Sequence, residues 1–171
     1  SVSRGLGDVY KRQAECLARL RKAGVHTCLD TSGHLGANAD EELLANTDLV
    51  LLDIKAWNPE RYRALAGGEL RPTLEFAERL AALRKPVWLR YVLVPGLTDN
   101  MEDITELSRH AARLGNVERV DVLPFHQMGR FKWDELKLDY TLKDVPEPSE
   151  ELTEQVRDIF RQEENLKSSV H

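Results

Sequence analysis

The chain has 171 residues, of which 42% are hydrophobic and 31% charged, and its formal net charge is −5. This length and composition are typical of one globular domain with a substantial core, while the acidic balance argues against a nucleic-acid binder, which would normally carry a basic face. No apolar stretch approaches the roughly 18 residues that cross a bilayer, and the two cysteines are too few for a disulfide framework and suit a reducing cytosol.

Residues 1–12 differ from the rest of the chain, because Gly5 and Gly7 interrupt them and their apolar residues show little periodicity. The string SVSRGLGDVYKRQ also resembles a translated sequencing adapter. We therefore expect residues 1–12 to be a non-native tail, residues 13–165 to form the domain and residues 166–171 to be a second tail. On this interpretation the native N-terminal part is missing from the chain.

From residue 13 onward, amphipathic helical patterns alternate with short apolar runs that are typical of strands. The first half predicts a helix ending at Gly24, a strand at 25–29, a helix capped by Asn38 and ending near 46, a strand at 48–54, and a helix opened by Asn58 and Pro59. The second half predicts a helix at 72–84, a strand at 86–94, a helix capped by Asp99 and ended by Gly115, a strand at 117–123, and a last helix from Ser149.

The fold class follows from the nearly continuous apolar character of these strands, which indicates a parallel sheet buried on both faces. The alternation predicts an α/β domain of four β/α units. Four strands do not close an eight-stranded barrel, so the sheet is either open or part of an incomplete barrel.

Each predicted strand has polar residues in or just past its C-terminal half. They are Asp30 and Thr31, then Asp53 and Lys55, then Arg90, and finally His126. Parallel α/β sheets bind their ligands at the carboxyl ends of the strands. We therefore expect these side chains to converge on one cavity at the mouth of an incomplete barrel.

Two interpretations stay open for the charged residues among them. Asp53 and Lys55 are two residues apart, so a strand places both on one face, either as a structural ion pair or as a ligand-binding pair. Arg90 lies within its strand and needs a carboxylate partner, which is either an acid such as Asp53 or Asp30, or a ligand.

The histidines and cysteines carry weaker signals. A histidine in a loop, such as His126, is more often solvated than a ligand, and His34 and His110 receive the same interpretation. Cys28 and Cys16 are expected to be small buried apolar residues. Two thiols also fall short of the three or four that an iron–sulfur cluster takes from a single chain.

Several strings of the chain resemble the pyruvate formate-lyase activating enzymes, which are radical S-adenosylmethionine (SAM) enzymes that activate glycyl radical enzymes. The strings are HTCLDTSG (26–33), TDLVLLDIK (47–55), RPTLEFAERL (71–80), VWLRYVLVPGLTD (87–99) and GNVERVDVLPFHQMGRFKW (115–133). The resemblance covers about residues 13–162, and LPFHQMGRFKW is its most telling part.

The resemblance implies a partial (β/α)6 barrel, of which this chain holds the C-terminal four β/α units, with SAM and a 4Fe–4S cluster as cofactors. Reductive cleavage of SAM would yield a 5′-deoxyadenosyl radical that takes a hydrogen from a glycine of the partner enzyme. The implied partners are a glycyl radical enzyme of the pyruvate formate-lyase type and a flavodoxin- or ferredoxin-like electron donor, in an anaerobic cytoplasm, with no nucleic acid and no membrane.

The resemblance also implies roles for individual residues. Asp53, Lys55 and His126 would contact SAM, and Arg90 would be an active-site arginine. A monovalent-cation site would be formed by Asp30, Thr31, Asp53 and the carbonyl of Leu51. The family's Cys-x3-Cys-x2-Cys loop and Gly-Gly-Glu motif are absent from the sequence, so we expect the chain to have no cluster ligands and to be inactive alone.

Two other functions remain possible. One is an aldolase-like barrel with Lys55 as the Schiff-base amine, although Asp53 would stabilise its ammonium form. The other is a non-catalytic module that binds a partner protein through the open mouth of the barrel. For the truncated chain, the exposed edge of the first remaining strand predicts association or poor solubility.

Overall fold

The computed structural model of the chain describes residues 2–137, 139–166 and 169–171, and gives only the backbone of residues 2–11, 130, 132 and 134. Its helices are α1 (Val2–Lys22), α2 (Glu41–Ala45), α3 (Pro59–Ala66), α4 (Arg71–Ala82), α5 (Met101–Leu114), α6 (Arg130–Leu136) and α7 (Glu150–Arg161). Its strands are β1 (Cys28–Thr31), β2 (Leu49–Asp53), β3 (Val87–Leu93) and β4 (Val117–Pro124). Two short 3-10 turns cover Gly36–Asn38 and Gln127–Gly129.

The four strands form one parallel sheet in the order β1-β2-β3-β4. Each strand lies beside the next one in the chain, with a helical connection between them, which is the arrangement of consecutive β/α units. The structure therefore confirms the predicted α/β class and the four units of a partial barrel.

The sheet is covered by helices on one face. Alternate residues of β3 are buried there, namely Val87, Leu89, Tyr91 and Leu93, because successive side chains of a strand point to opposite faces. The helices contribute Leu43, Leu44, Phe76, Leu80, Ile104, Leu107, Val156 and Phe160 to the same core.

The opposite side of the sheet, called the open face here, differs from the expectation of a sheet buried on both faces. Its residues are partly or fully exposed and include Asp30, Leu51, Asp53, Trp88, Arg90, Val92, Arg119 and Asp121. The strands look apolar because their helix-facing residues are apolar, while five of these eight open-face positions carry charge.

The first strand begins three residues later than the predicted 25–29 and ends two residues later. Gly24 has a φ of 77°, its N–H donates to the carbonyl of Arg21 at 2.9 Å, and the N–H of Val25 donates to the carbonyl of Leu20 at 3.0 Å. This pair of hydrogen bonds is a Schellman motif. Val25 therefore belongs to the C-terminal cap of α1 rather than to β1.

Two predicted helix caps are wrong by one or two residues. Asp40, not Asn38, caps α2, and its Oδ1 accepts from the N–H of Leu43 at 2.7 Å. Asn100, not Asp99, caps α5, and a one-residue shift is possible because both side chains can accept from a backbone N–H. The remaining predicted caps are confirmed at Asn58, Gly115 and Ser149.

Described residues near both ends of the chain lie in regular structure, while the division into residues 1–12, 13–165 and 166–171 stays a prediction. The backbone of α1 is helical from Val2, although the origin of residues 1–12 stays a prediction. At the other end, the N–H of Val120 donates to the carbonyl of Ser169 and the N–H of His171 donates to the carbonyl of Val120, each at 2.9 Å. Residues 169–171 therefore cover the outer edge of β4, which protects that edge from pairing with another chain.

Among the described helices, none is long and apolar enough to cross a membrane.

Candidate functional site

The open face carries a network of four charged side chains near the carboxyl ends of β1, β2 and β3. Nε of Arg90 donates to Oδ1 of Asp53 at 2.7 Å, and Nζ of Lys55 donates to Oδ2 of the same carboxylate at 2.8 Å. Nη2 of Arg90 also donates to Oδ1 of Asp30. One carboxylate thus accepts from two cations, and one guanidinium links two carboxylates.

The register of the sheet creates this network. Asp53 on β2 is the direct neighbour of Arg90 on β3, and Asp30 on β1 is the neighbour of Leu51 on β2. Because alternate residues share a face, Asp53 and Leu51 point the same way. The long side chain of Arg90 therefore crosses β2 to reach Asp30, while Lys55, just beyond the strand, folds back onto Asp53.

The network is partly buried, which strengthens its interactions but leaves it accessible to a ligand. The exposed side-chain fractions are 21% for Arg90, 20% for Asp53, 35% for Lys55 and 62% for Asp30. Burial by itself would lower the pKa of Arg90, but hydrogen bonds and charges from Asp30 and Asp53 outweigh it, so that the pKa is raised. Arg90 therefore remains a cation, and the formal charges of the four groups sum to zero.

Sequence analysis missed a second group on the same face, closer to the amino ends of β3 and β4. Nε of Arg119 donates to Oδ1 of Asp121 at 2.7 Å, and the guanidinium of Arg119 lies 4.8 Å from the ring centre of Trp88. The spacing of Arg119 and Asp121 matches that of Asp53 and Lys55, so the same argument from strand periodicity could have found them.

The other predicted site residues lie outside the charged network. His126 follows β4 and is exposed, and none of the described hydrogen bonds joins it to Asp53, Lys55 or Arg90. The hydroxyl of Thr31 accepts from the N–H of Gly33 at 3.0 Å, which stabilises the turn after β1. The structure thus brings together the charged residues of the first three strands but not the imidazole.

Three further expectations about cysteines and histidines are wrong. Cys16 and Cys28 are exposed rather than buried. Cys28 is exposed because it points to the open face of the sheet. His110 is buried rather than solvated, 5.0 Å from the ring of Trp57. Its Nε2 has no hydrogen-bond partner among the described residues, and burial, followed by the charge of Arg113, lowers its pKa. Within the described part of the chain, no three His, Cys, Asp or Glu side chains are placed to hold a metal ion.

The sequence of the chain matches a family of known proteins. The sequence model of the Radical SAM superfamily matches residues 5–108. The chain is 40% identical over 149 residues to the pyruvate formate-lyase-activating enzyme of Streptococcus mutans, covering 84% of this chain and 57% of that protein. It is 41% identical over 144 residues to the pyruvate formate-lyase 1-activating enzyme of Escherichia coli strain K12, covering 83% of this chain and 58% of that protein.

The fold has a counterpart among solved structures. A domain of a pyruvate-formate lyase-activating enzyme from Bacteroides vulgatus superposes with a TM-score of 0.78 at 19% identity, covering 96% of this chain and 91% of that one. At this low sequence identity, the superposition shows only that the two folds are alike. The chain spans somewhat less than three-fifths of the length of the two curated relatives.

Proposed function

The chain belongs to the radical SAM superfamily, and from this premise we propose that it is part of an activating enzyme for pyruvate formate-lyase. The complete protein would be a radical SAM oxidoreductase that generates a glycyl radical on its partner. The observation that carries the proposal is the identity of about two residues in five with activating enzymes over most of the chain. Because the chain spans only part of those relatives, the activity is proposed for the complete protein.

The residues of the open face fit the amino-acid end of SAM. That end carries a carboxylate and an ammonium group, and the network offers Lys55 to the first and Asp53 to the second while remaining accessible. We propose that Asp53 and Lys55 bind SAM, that Arg90 acts in the active site and holds Asp53, and that His126, exposed beyond β4, approaches the adenosine part. Bound SAM supplies, on reductive cleavage, the chemistry that removes hydrogen from a glycine of the partner.

An iron–sulfur cluster does not fit the residues of this chain. A 4Fe–4S cluster takes three or four thiolates from a single chain, whereas the sequence has two cysteines, one on α1 and one on β1. We therefore propose that the cluster ligands belong to a segment other than these 171 residues, and that the chain alone does not cleave SAM.

The monovalent-cation site at Asp30, Thr31, Leu51 and Asp53 stays a prediction. Arg90 donates to both carboxylates of this set, so its guanidinium already supplies the positive charge that a cation would bring. A cation bound there would lie beside the guanidinium of Arg90, and the two positive charges would repel each other. We therefore expect such a cation, if bound, to compete with Arg90.

The proposed partners are a glycyl radical enzyme of the pyruvate formate-lyase type and a flavodoxin- or ferredoxin-like electron donor, with the cytoplasm as the proposed location. The aldolase-like alternative is disfavoured by the hydrogen bond from Lys55 to Asp53 at 2.8 Å, because it engages the nitrogen that would have to attack a carbonyl carbon. Borohydride trapping of a carbonyl compound on Lys55 would support that alternative. A module that only binds proteins is distinguished by the following experiment.

The proposal is tested by comparing the complete protein, obtained by sequencing upstream in the source DNA, with the 171-residue chain. Each is treated with iron, sulfide and a reductant, and release of 5′-deoxyadenosine from SAM is measured. We expect release by the complete protein and none by the chain. A complete protein that neither binds nor cleaves SAM would overturn the proposal, and cleavage by the chain alone would overturn the assignment of the cluster ligands.

A pair of lysine variants locates SAM within the complete protein. Lys55→Met removes a charge-assisted partner and should weaken SAM binding roughly tenfold, the effect of one such interaction. Lys22→Met is the matched control, because Lys22 is exposed at the end of α1, near the amino end of the sheet. Equal affinities of the two variants would refute the assigned role of Lys55.

A further inference from the structure

Arg90 has a carboxylate beside it on each neighbouring strand. In the register of the sheet, its partner on β2 is Asp53 and its partner on β4 is Asp121. Neighbouring strands are about 4.8 Å apart, so the backbone of Asp53 and the backbone of Asp121 lie at similar distances from that of Arg90. Arg90 nevertheless bonds to Asp53 and reaches across β2 to Asp30, and none of its described hydrogen bonds goes to Asp121.

Asp121 instead pairs with Arg119, two residues earlier on β4. Nε of Arg119 donates to Oδ1 of Asp121 at 2.7 Å. The side chain of Asp121 is the more buried partner of this ion pair, with 16% exposed against 37% for Arg119. The guanidinium of Arg119 also lies over the ring of Trp88, its register neighbour on β3. Such stacking restricts where an arginine can point, so Arg119 is held where it can pair with Asp121.

We propose that Arg119 is a positioning residue: it engages Asp121 in its own ion pair, supported by Trp88, and thereby leaves Arg90 paired with Asp53 and Asp30. The open face then contains two separate charge groups instead of one mixed group. Arg119 acts through Asp121 and Arg90 and does not itself touch the ligand.

Removal of Arg119 has a defined consequence. A partly buried carboxylate without a cation is unfavourable, so Asp121 would draw Arg90 towards β4. Asp53 would then keep Lys55 as its remaining partner in the network, and the pair proposed to bind SAM would change its geometry. This second step rests on the proposed function, whereas the exchange of partners by Arg90 does not.

The exchange of partners can be observed without any ligand. In the complete protein, the side-chain Nε–H signal of Arg90 is recorded by ¹⁵N NMR and assigned by its loss in Arg90→Lys. While Arg119 is present, we expect Asp53→Asn to shift this signal and Asp121→Asn to leave it in place. After Arg119→Met, the signal should shift, and adding Asp121→Asn should return it towards its original position.

The effect on the site is measured as SAM affinity of the complete protein. Residues in one ion-pair network commonly couple strongly enough to change binding roughly fivefold, which is the weakening expected for Arg119→Met. Addition of Asp121→Asn should restore the affinity to within about twofold, because the competing carboxylate is gone. Arg119→Lys should also bind normally, since an ammonium can still pair with Asp121. Arg109→Met, which removes an exposed ion pair with Glu106 on α5, is the control.

Two results would overturn the proposal: an unchanged Arg90 signal in Arg119→Met, or a loss of affinity that Asp121→Asn does not restore, as expected if Arg119 only stabilised the fold. If the unsubstituted protein binds no SAM, the proposed function fails, and the Arg90 signal still decides whether Arg119 positions Arg90.

Discussion

Replacement of Arg90 by leucine is the most direct test of the charged network. The substitution keeps a side chain of moderate size on β3 but removes the cation that bonds to Asp53 and Asp30. Asp53 then keeps Lys55, while Asp30, which is 62% exposed, returns to water at little cost. The expected loss of stability therefore comes mainly from Asp53.

The size of the loss follows from the burial of the pair. Exposed ion pairs contribute about 0–1 kcal/mol, whereas breaking a fully buried pair from one side costs about 3–5 kcal/mol. With 21% of Arg90 and 20% of Asp53 exposed, the pair lies between these limits. We expect Arg90→Leu to lower the free energy of unfolding by about 2 kcal/mol.

Urea denaturation of the 171-residue chain at neutral pH measures this difference, and Arg109→Leu, on the exposed surface of α5, is the matched control with no expected change. In the double variant Arg90→Leu with Asp53→Asn, the carboxylate that has lost its guanidinium partner is gone, so the combined loss should be smaller than the sum of the single losses. Additive losses, or a loss for Arg90→Leu below about 0.5 kcal/mol, would refute the reasoning.

Two more predictions use the same denaturation assay. Burial lowers the pKa of His110, so the unfolded chain binds its proton more readily; the stability is fully present above the ordinary histidine pKa of about 6.5 and decreases as the pH falls below it. His110→Leu should therefore lose less stability than the parent between pH 7 and pH 5, and equal pH profiles would contradict this. Gly36→Ala would place a Cβ 2.2 Å from the ring of Phe76 and should cost about 1–3 kcal/mol by overpacking. A loss below about 0.5 kcal/mol would contradict the clash.

The order of strands and helices along the chain could largely be predicted from local sequence patterns. Apolar periodicity located all four strands and most helices, and Asn58, Gly115 and Ser149 were recognised as caps because each acts on its own helix. A cap was assigned to the wrong residue where two neighbouring side chains could each cap the helix, as with Asp99 and Asn100. Helix α6 was missed.

The site was predictable in part. The positions of Asp30, Asp53, Lys55 and Arg90 at strand ends followed from the α/β pattern, and their contact is confirmed. Which acid Arg90 would choose did not follow, because Asp53 and Asp121 are separated from it along the chain and become neighbours only through strand register.

The sequence by itself determined the fold class, the order of the elements and the residue types at the strand ends, because these depend on interactions within a few residues along the chain. The tertiary structure alone decided that one face of the sheet is left uncovered by the described helices, that Arg90 joins Asp53 to Asp30, and that Asp121 pairs with Arg119. These features depend on distances between side chains on neighbouring strands. Strand register and side-chain length determine those distances, and a local sequence pattern contains no information about them.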